Sequence, residues 1–188
     1  LDWNAELEFI RRFSPDYHIP TDYSVYQSMT ESEQAQAIDN CMDGTEWIAT
    51  RLKNHATTVL VQAKGWLPRH YERCQSTMKR LHHEFVVFYA AGYKARVHEL
   101  NEDLKTLVSV LNPTGILLIG KQSVRFLRQT IPEVVAAAGG RWRRQSGLHD
   151  NEHSSQKHRE WKQEVEQHLG SGQATIDSYT TSRVKENG

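Results

Sequence analysis

Cysteine is almost absent from this 188-residue chain, in which Cys41 and Cys74 are the only two. That scarcity argues against a disulfide scaffold or a cysteine-rich metal centre, and it predicts a reducing, intracellular setting, cytoplasmic or nuclear. A signal-peptide core and an apolar run long enough to span a bilayer are also missing, so no membrane partner is expected. Nor is there an excess of charge of one sign. The 23 basic and 23 acidic side chains cancel, so no global field draws the protein towards nucleic acid or anionic lipid, and such binding has to come from a local patch. The length suits one core, or a small domain with an appendage. The chain opens on Leu1 rather than Met, which reads as a processed product or an excerpt of something longer.

Recognised catalytic motifs are scarce as well. No GxSxG elbow occurs. The nearest approach to a phosphate loop, Gly115 to Ser123, places Gln122 where Ser or Thr is required, and its four spacers, Ile116 to Ile119, are all aliphatic. A phosphate loop needs polar, turning backbone, so this stretch reads as apolar core. Cys74 falls on an apolar helical stripe and Cys41 in mid-helix, and both read as core residues. His149 and His153 have the i, i+4 spacing of a helical metal pair, but the order HDNEH departs from HExxH in a polar, exposed loop. No metal and no other cofactor is expected.

What the chain does have is periodicity. Trp3, Leu7 and Ile10 mark a short amphipathic helix from Asp2 to Phe13, ended by Pro15. After a loop bearing Tyr17, Tyr23 and Tyr26, Thr30 and Glu33 form a capping box that starts a helix at Glu31. Asp43 and Gly44 predict a stop or kink near Met42, with another helix from Thr45. Three apolar runs follow, Thr57 to Ala63, Phe85 to Ala91 and Ile116 to Ile119. They are separated by stripes of helical period, Tyr71, Cys74, Met78 and Leu81 behind Pro68, and Val97, Leu100, Leu104, Leu107 and Leu111. Val134 to Ala138 leads into the double glycine Gly139-Gly140. A last amphipathic helix, Gln156 to Leu169, is expected to bury Trp161, Val165 and Leu169.

Continuous apolar runs alternating with such helices imply buried parallel strands and crossover units. An all-α bundle is the alternative, because Ile48, Leu52, Ala56, Val59 and Ala63 also fit a helical stripe. Two observations favour strands. The stripe ending at Phe88 is out of phase with the one beginning at Val97, and a helix over Thr114 to Gly120 would carry two glycines at about 1 kcal/mol each. The predicted fold is therefore α/β, a small parallel sheet flanked by helices. Residues 1–56 form an N-terminal helical segment, 57–169 the α/β core and 170–188 a polar tail, expected to be extended or disordered.

Two basic groups stand out. Arg141, Trp142, Arg143 and Arg144 follow the double glycine. Guanidiniums around an indole suit phosphate-and-base contact, and equally a solvated turn whose Trp packs on the core. Arg69, Arg73 and Arg80 share one face of a predicted helix, either as a backbone-tracking stripe or, diluted by Glu72 and Glu84, as a solvated coating.

Leu104 to Leu127, LKTLVSVLNPTGILLIGKQSVRFL, has the order helix, Pro, buried strand, Gly, helix. GGRWRRQSG at Gly139 to Gly147 follows, then His149 and the closing helix KHREWKQEVEQHL; Phe85 to Arg96 supplies a strand and turn upstream. In this layout, over roughly Thr57 to Leu169, the chain resembles the uracil-DNA glycosylase-like superfamily. The resemblance implies a nucleic-acid groove at the carboxyl ends of the strands and extrusion of a base into a pocket, with a histidine stabilising charge on the base. Here that pocket would be built from Gln62, Trp66, Tyr89 and His149, the last being the only catalytic candidate. Arg141, Arg143 and Arg144 would lie on the phosphates, with Arg69 and Trp142 as further contacts. The chain departs from the family pattern after its first strand, where Lys64-Gly65-Trp66-Leu67-Pro68 offers no Asp or Asn to activate water. His149 precedes Asp150 rather than Pro, and the four cluster cysteines are missing. The expectation is a non-catalytic or catalytically impaired nucleic-acid-binding domain whose partner is single-stranded or damaged DNA. The rival is an all-helical interaction or scaffolding domain that contacts protein partners through its N-terminal helices.

Overall fold

The computed structural model describes residues 2–20, 22–148 and 154–169. The chain divides into two compact units, Leu1–Phe88 with Asp103–Pro113, and Tyr89–Glu102 with Thr114–Gly188.

In the first unit α1 (Trp3–Phe13) starts where the Asp2 carboxylate accepts from the backbone N–H groups of Asn4 and Ala5, and it stops at Ser14 in the left-handed region. Its stripe buries Leu7 and Ile10 against Ile48, Leu52 and Val59. Helix α2 (Glu31–Arg51) opens on the expected capping box. The Glu33 N–H donates to Thr30 Oγ1 at 3.3 Å and the Thr30 N–H to Glu33 Oε2 at 2.7 Å. Such a cap contributes about 1 kcal/mol.

The break expected at Asp43–Gly44 does not occur, and α2 is one helix of 21 residues. Gly44 serves packing rather than termination. A Cβ at this position would lie 2.8 Å from Trp3 Nε1, so the glycine is what lets the indole of α1 lie on α2. That contact offsets the roughly 1 kcal/mol cost of glycine inside a helix.

The first apolar run is two strands rather than one. Parallel to β1 (Tyr17–His18), which forms within the tyrosine-bearing stretch expected to be a loop, β2 (Thr58–Val59) pairs Tyr17 with Thr58. Beyond Leu60, β3 (Val61–Ala63) pairs in parallel with β4 (Phe85–Tyr89), Val61 opposite Val86 and Ala63 opposite Phe88. Between these strands α3 (Pro68–Arg80) takes Pro68 in its first turn and buries Tyr71, Cys74 and Met78.

A 3-10 turn (Ala91–Tyr93) and α4 (Val97–Leu111) follow, and Leu100, Leu104 and Leu107 of α4 are fully buried. The second unit continues with β5 (Gly115–Ile119), α5 (Val124–Leu127), β6 (Val134–Ala138), α6 (Arg141–Gln145) and α7 (Ser155–Glu166). β5 and β6 are parallel, with Ile116 opposite Val134, an irregularity next to it, and Ile119 opposite Ala138. β5 is apolar throughout and Gly115 to Leu118 are buried, as expected of a strand covered on both faces. Of the stripe predicted for the last helix, Val165 is buried while Trp161 and Leu169 are half-buried.

The fold is therefore α/β with parallel strand pairing and helices at its N-terminus, and the strands set aside the all-helical alternative. The predicted tail 170–188 lies outside the described residues. Among those described, no helix is long and apolar enough to cross a membrane.

Candidate functional site

β5 and β6 end side by side in the second unit, where the Gly120 N–H donates to the Ala138 carbonyl at 2.8 Å. The segments leaving these ends, 120–123 and 139–144, border a cleft of about 810 Å³. The carboxyl ends of parallel strands are the usual place for ligands in open α/β sheets, because the chain turns away there and leaves a crevice.

Gln122 fixes the geometry. Its buried amide donates from Nε2 to the Ala137 carbonyl at 3.4 Å, and its Oε1 accepts the Arg141 N–H at 3.2 Å. The loop after β5 is thus tied to the loop after β6, and the position of Arg141 is set by a side chain 19 residues earlier, across α5 and β6. Lys121 donates from Nζ to the carbonyl of Lys94, which brings both lysines to one rim, and its ammonium lies 5.1 Å from the Phe126 ring centroid.

Charge gives the cleft its character. Lys94, Lys121, Arg141, Arg143 and Arg144 all line it, and no carboxylate does so among the described residues. Among those residues, no ion pair involves any of the five. Among the described residues these five cations share one concavity with no carboxylate lining it, which gives a local positive potential in a chain whose net charge is zero.

The other basic group behaves differently. Arg69 pairs with Glu31 at 3.0 Å, Arg73 with Asp39 at 2.7 Å, and Arg80 with Glu46. Each arginine on this face of α3 is matched by a carboxylate on α2, so the stripe is a solvated, neutralised coating. Exposed pairs of this kind contribute little to stability.

The remaining candidates are dispersed. Gln62 is buried on β3, Trp66 is half-buried with its ring 5.1 Å from that of His70 in an edge contact, and both belong to the first unit with Arg69. Tyr89, 52% exposed at the end of β4, belongs to the second unit but not to the cleft lining. Trp142 is 36% exposed on α6, between two lining arginines. His149 lies outside the described residues, as does His153. Arg141, Arg143 and Arg144, contiguous in the sequence, line the cleft together with Lys94 and Lys121, which the sequence does not single out. The Gly-Lys pair directly after a buried strand was the available signal for Lys121. Lys94 carried none.

After β3, His70 Nδ1 accepts the N–H groups of Trp66 at 3.3 Å and Leu67 at 3.4 Å. Burial, reinforced by the neighbouring Arg69, holds this imidazole below its ordinary range and therefore neutral. Lys64 is buried against the Asp22 carboxylate; burial draws its ammonium down to about 8, so it stays protonated at neutral pH. Neither arrangement presents a base to a substrate. The thiols are also inert. Both are buried, and burial pushes Cys74 up to about 12 and Cys41 upwards too. Native protein is expected to leave both cysteines unreactive towards Ellman's reagent at neutral pH, whereas urea-unfolded protein titrates both. Rapid labelling of either in the native state would contradict this packing.

No protein-family model matches the chain, and no curated protein matches it.

Proposed function

We propose that this chain is a nucleic-acid-binding domain that holds phosphodiester groups in the cleft at the ends of β5 and β6 and has no strong catalytic activity of its own. The observation that carries the reading is the lining itself, five cationic side chains with no carboxylate among the described residues. Arginines and lysines so placed neutralise phosphates and release their condensed counterions. The uracil-DNA glycosylase-like resemblance agrees with this assignment of Arg141, Arg143 and Arg144. The loop after β3 supports binding rather than cleavage, since Lys64 to Pro68 contains no Asp or Asn to activate water.

The test is binding of a fluorescein-labelled oligonucleotide followed by anisotropy over a salt series. Five phosphate contacts predict that log K falls against log salt with a slope of up to about −3.5, at about −0.7 per contact for a single strand. Arg141→Ala/Arg143→Ala/Arg144→Ala, three exposed positions whose loss leaves the core untouched, is expected to flatten the slope by about 2. Affinity and slope unchanged in that variant would remove the cleft as the contact.

A further inference from the structure

Lys94 occupies a backbone conformation that suits glycine. Its φ of +48° and ψ of −111° lie close to the first central position of a type II′ β-turn, roughly (+60°, −120°), which glycine fills by preference because it has no Cβ to crowd the backbone. The turn is closed in the way this type requires, with the Arg96 N–H donating to the Tyr93 carbonyl at 2.8 Å. Nor is this the left-handed helical region, with ψ of about +47°, that other residues visit at modest cost. A lysine here strains the chain, and Gly92, two residues earlier, does nothing to relieve it.

Everything the backbone does at this position a glycine would do at lower cost. The Lys94 carbonyl accepts from Lys121 Nζ, and that bond asks nothing of the Lys94 side chain. The side chain itself is exposed and, among the described residues, enters no ion pair. Arg96, the other cation of the turn, behaves differently. It donates to the Glu99 carboxylate at 2.6 Å and to the Gly92 carbonyl at 3.2 Å, and its guanidinium lies 5.9 Å from the Tyr93 ring centroid. Arg96 is thus neutralised and spent on its own neighbours, whereas Lys94 lines the cation-rich cleft. We infer that the Lys94 ammonium is a phosphate contact for which the turn bears its strain, so that stability and affinity oppose each other at this residue; this rests on the phosphate-binding reading above. Strain persists where the surrounding structure over-determines it, and such residues gather at ligand clamps. Lys121 supplies that restraint by holding the Lys94 carbonyl, a positioning role additional to its own charge.

The experiment compares Lys94→Gly and Lys94→Ala with wild type, by urea unfolding and by anisotropy of a fluorescein-labelled oligonucleotide over a salt series. Both variants lose the ammonium, so any difference between them reports the backbone alone. Lys94→Gly is expected to unfold at a higher urea concentration than Lys94→Ala, because only glycine relieves the strain. Both are expected to bind about fivefold more weakly than wild type at about 0.1 M salt, and to flatten the salt slope by about 0.7, the share of one contact to a single strand. A glycine midpoint no higher than that of alanine would show an unstrained turn and overturn the opposition of stability and affinity. Wild-type affinity and slope in both variants would show that the ammonium touches no phosphate. That result would overturn the inference while leaving the phosphate reading to stand on the arginines, provided that Arg141→Ala/Arg143→Ala/Arg144→Ala still weakens binding. Weaker binding by one variant only would trace the loss to the shape of the turn rather than to the charge, and would equally overturn it. Failure of wild type to bind the oligonucleotide would sink the phosphate reading itself, and the inference with it.

Discussion

Tyr71→Ala is expected to lower the folding free energy by about 3–5 kcal/mol, and Tyr71→Phe by only about 1 kcal/mol. Tyr71 is the largest of the fully buried side chains and sits on the core face of α3. Alanine removes the ring's apolar contacts and leaves a cavity that close-packed helices fill only in part, which is the source of the larger figure. The hydroxyl is a smaller matter. Its single proton lies between the carbonyl oxygens of Gly65 at 3.1 Å and Asp103 at 3.4 Å, and phenylalanine keeps the volume while leaving those acceptors without this donor. Folded proteins hold only about 5–15 kcal/mol in reserve, so the alanine variant is expected to unfold at a much lower urea concentration than wild type and the phenylalanine variant at a slightly lower one. Equal midpoints for the two variants would place the stabilisation in the hydrogen bonds, contrary to the packing argument.

The elements that the sequence made legible are those with a local cause. The capping box of Thr30 and Glu33, the first-turn proline of α3 and the apolar runs of β4 and β5 each carry their signal within a few residues. The elements misread or left unassigned have a different origin. Gly44 looks like a helix end because glycine is costly in a helix, yet its partner, Trp3, is some forty residues earlier and invisible to any local window. β1 is two residues of a tyrosine-bearing loop, ordered by Thr58 and Leu60 donating to the carbonyls of Asp16 and His18. β6 is mostly alanine, a residue with little preference for strands, and takes its conformation from its neighbour β5.

The site divides in the same way. Arg141, Arg143 and Arg144 are contiguous, so composition alone finds them. Lys121 lies in a stretch that fails as a phosphate loop, since Gln122 stands at the hydroxyl position and the spacers are aliphatic. The structure gives Gln122 another task, joining the two loops that carry the cations. The arginines of α3 were as conspicuous in sequence as those of α6. What separates the two groups is whether carboxylates on a neighbouring element face them, as Glu31, Asp39 and Glu46 do on α2. Charge pairing across elements is a tertiary property, and a one-dimensional count of Lys and Arg cannot report it.

That dependence of the cleft on backbone placement makes Gly120→Ala the most damaging small substitution near it, at an expected cost of about 3 kcal/mol. Gly120 has φ +87°, where a side chain strains the backbone by about 1–3 kcal/mol. The added Cβ would also lie 2.7 Å from the Ala91 Cβ and 3.1 Å from the Ala91 backbone. Neither neighbour has a flexible end that can swing aside, so the chain itself has to move, with the overpacking cost that this brings. The displaced segment is the one that carries Lys121 and Gln122, and with Gln122 goes the hydrogen bond that positions Arg141. Gly140→Ala is the matched control. It has φ −83° and open space around a new Cβ, so its stability is expected to stay within about 0.5 kcal/mol of wild type. Urea unfolding of the two variants, together with oligonucleotide anisotropy at a concentration where both remain folded, separates the effects. Weaker binding by the Gly120 variant and normal binding by the Gly140 variant are expected. Normal binding by a folded Gly120→Ala protein would show that the cations find phosphate without the loop geometry described above.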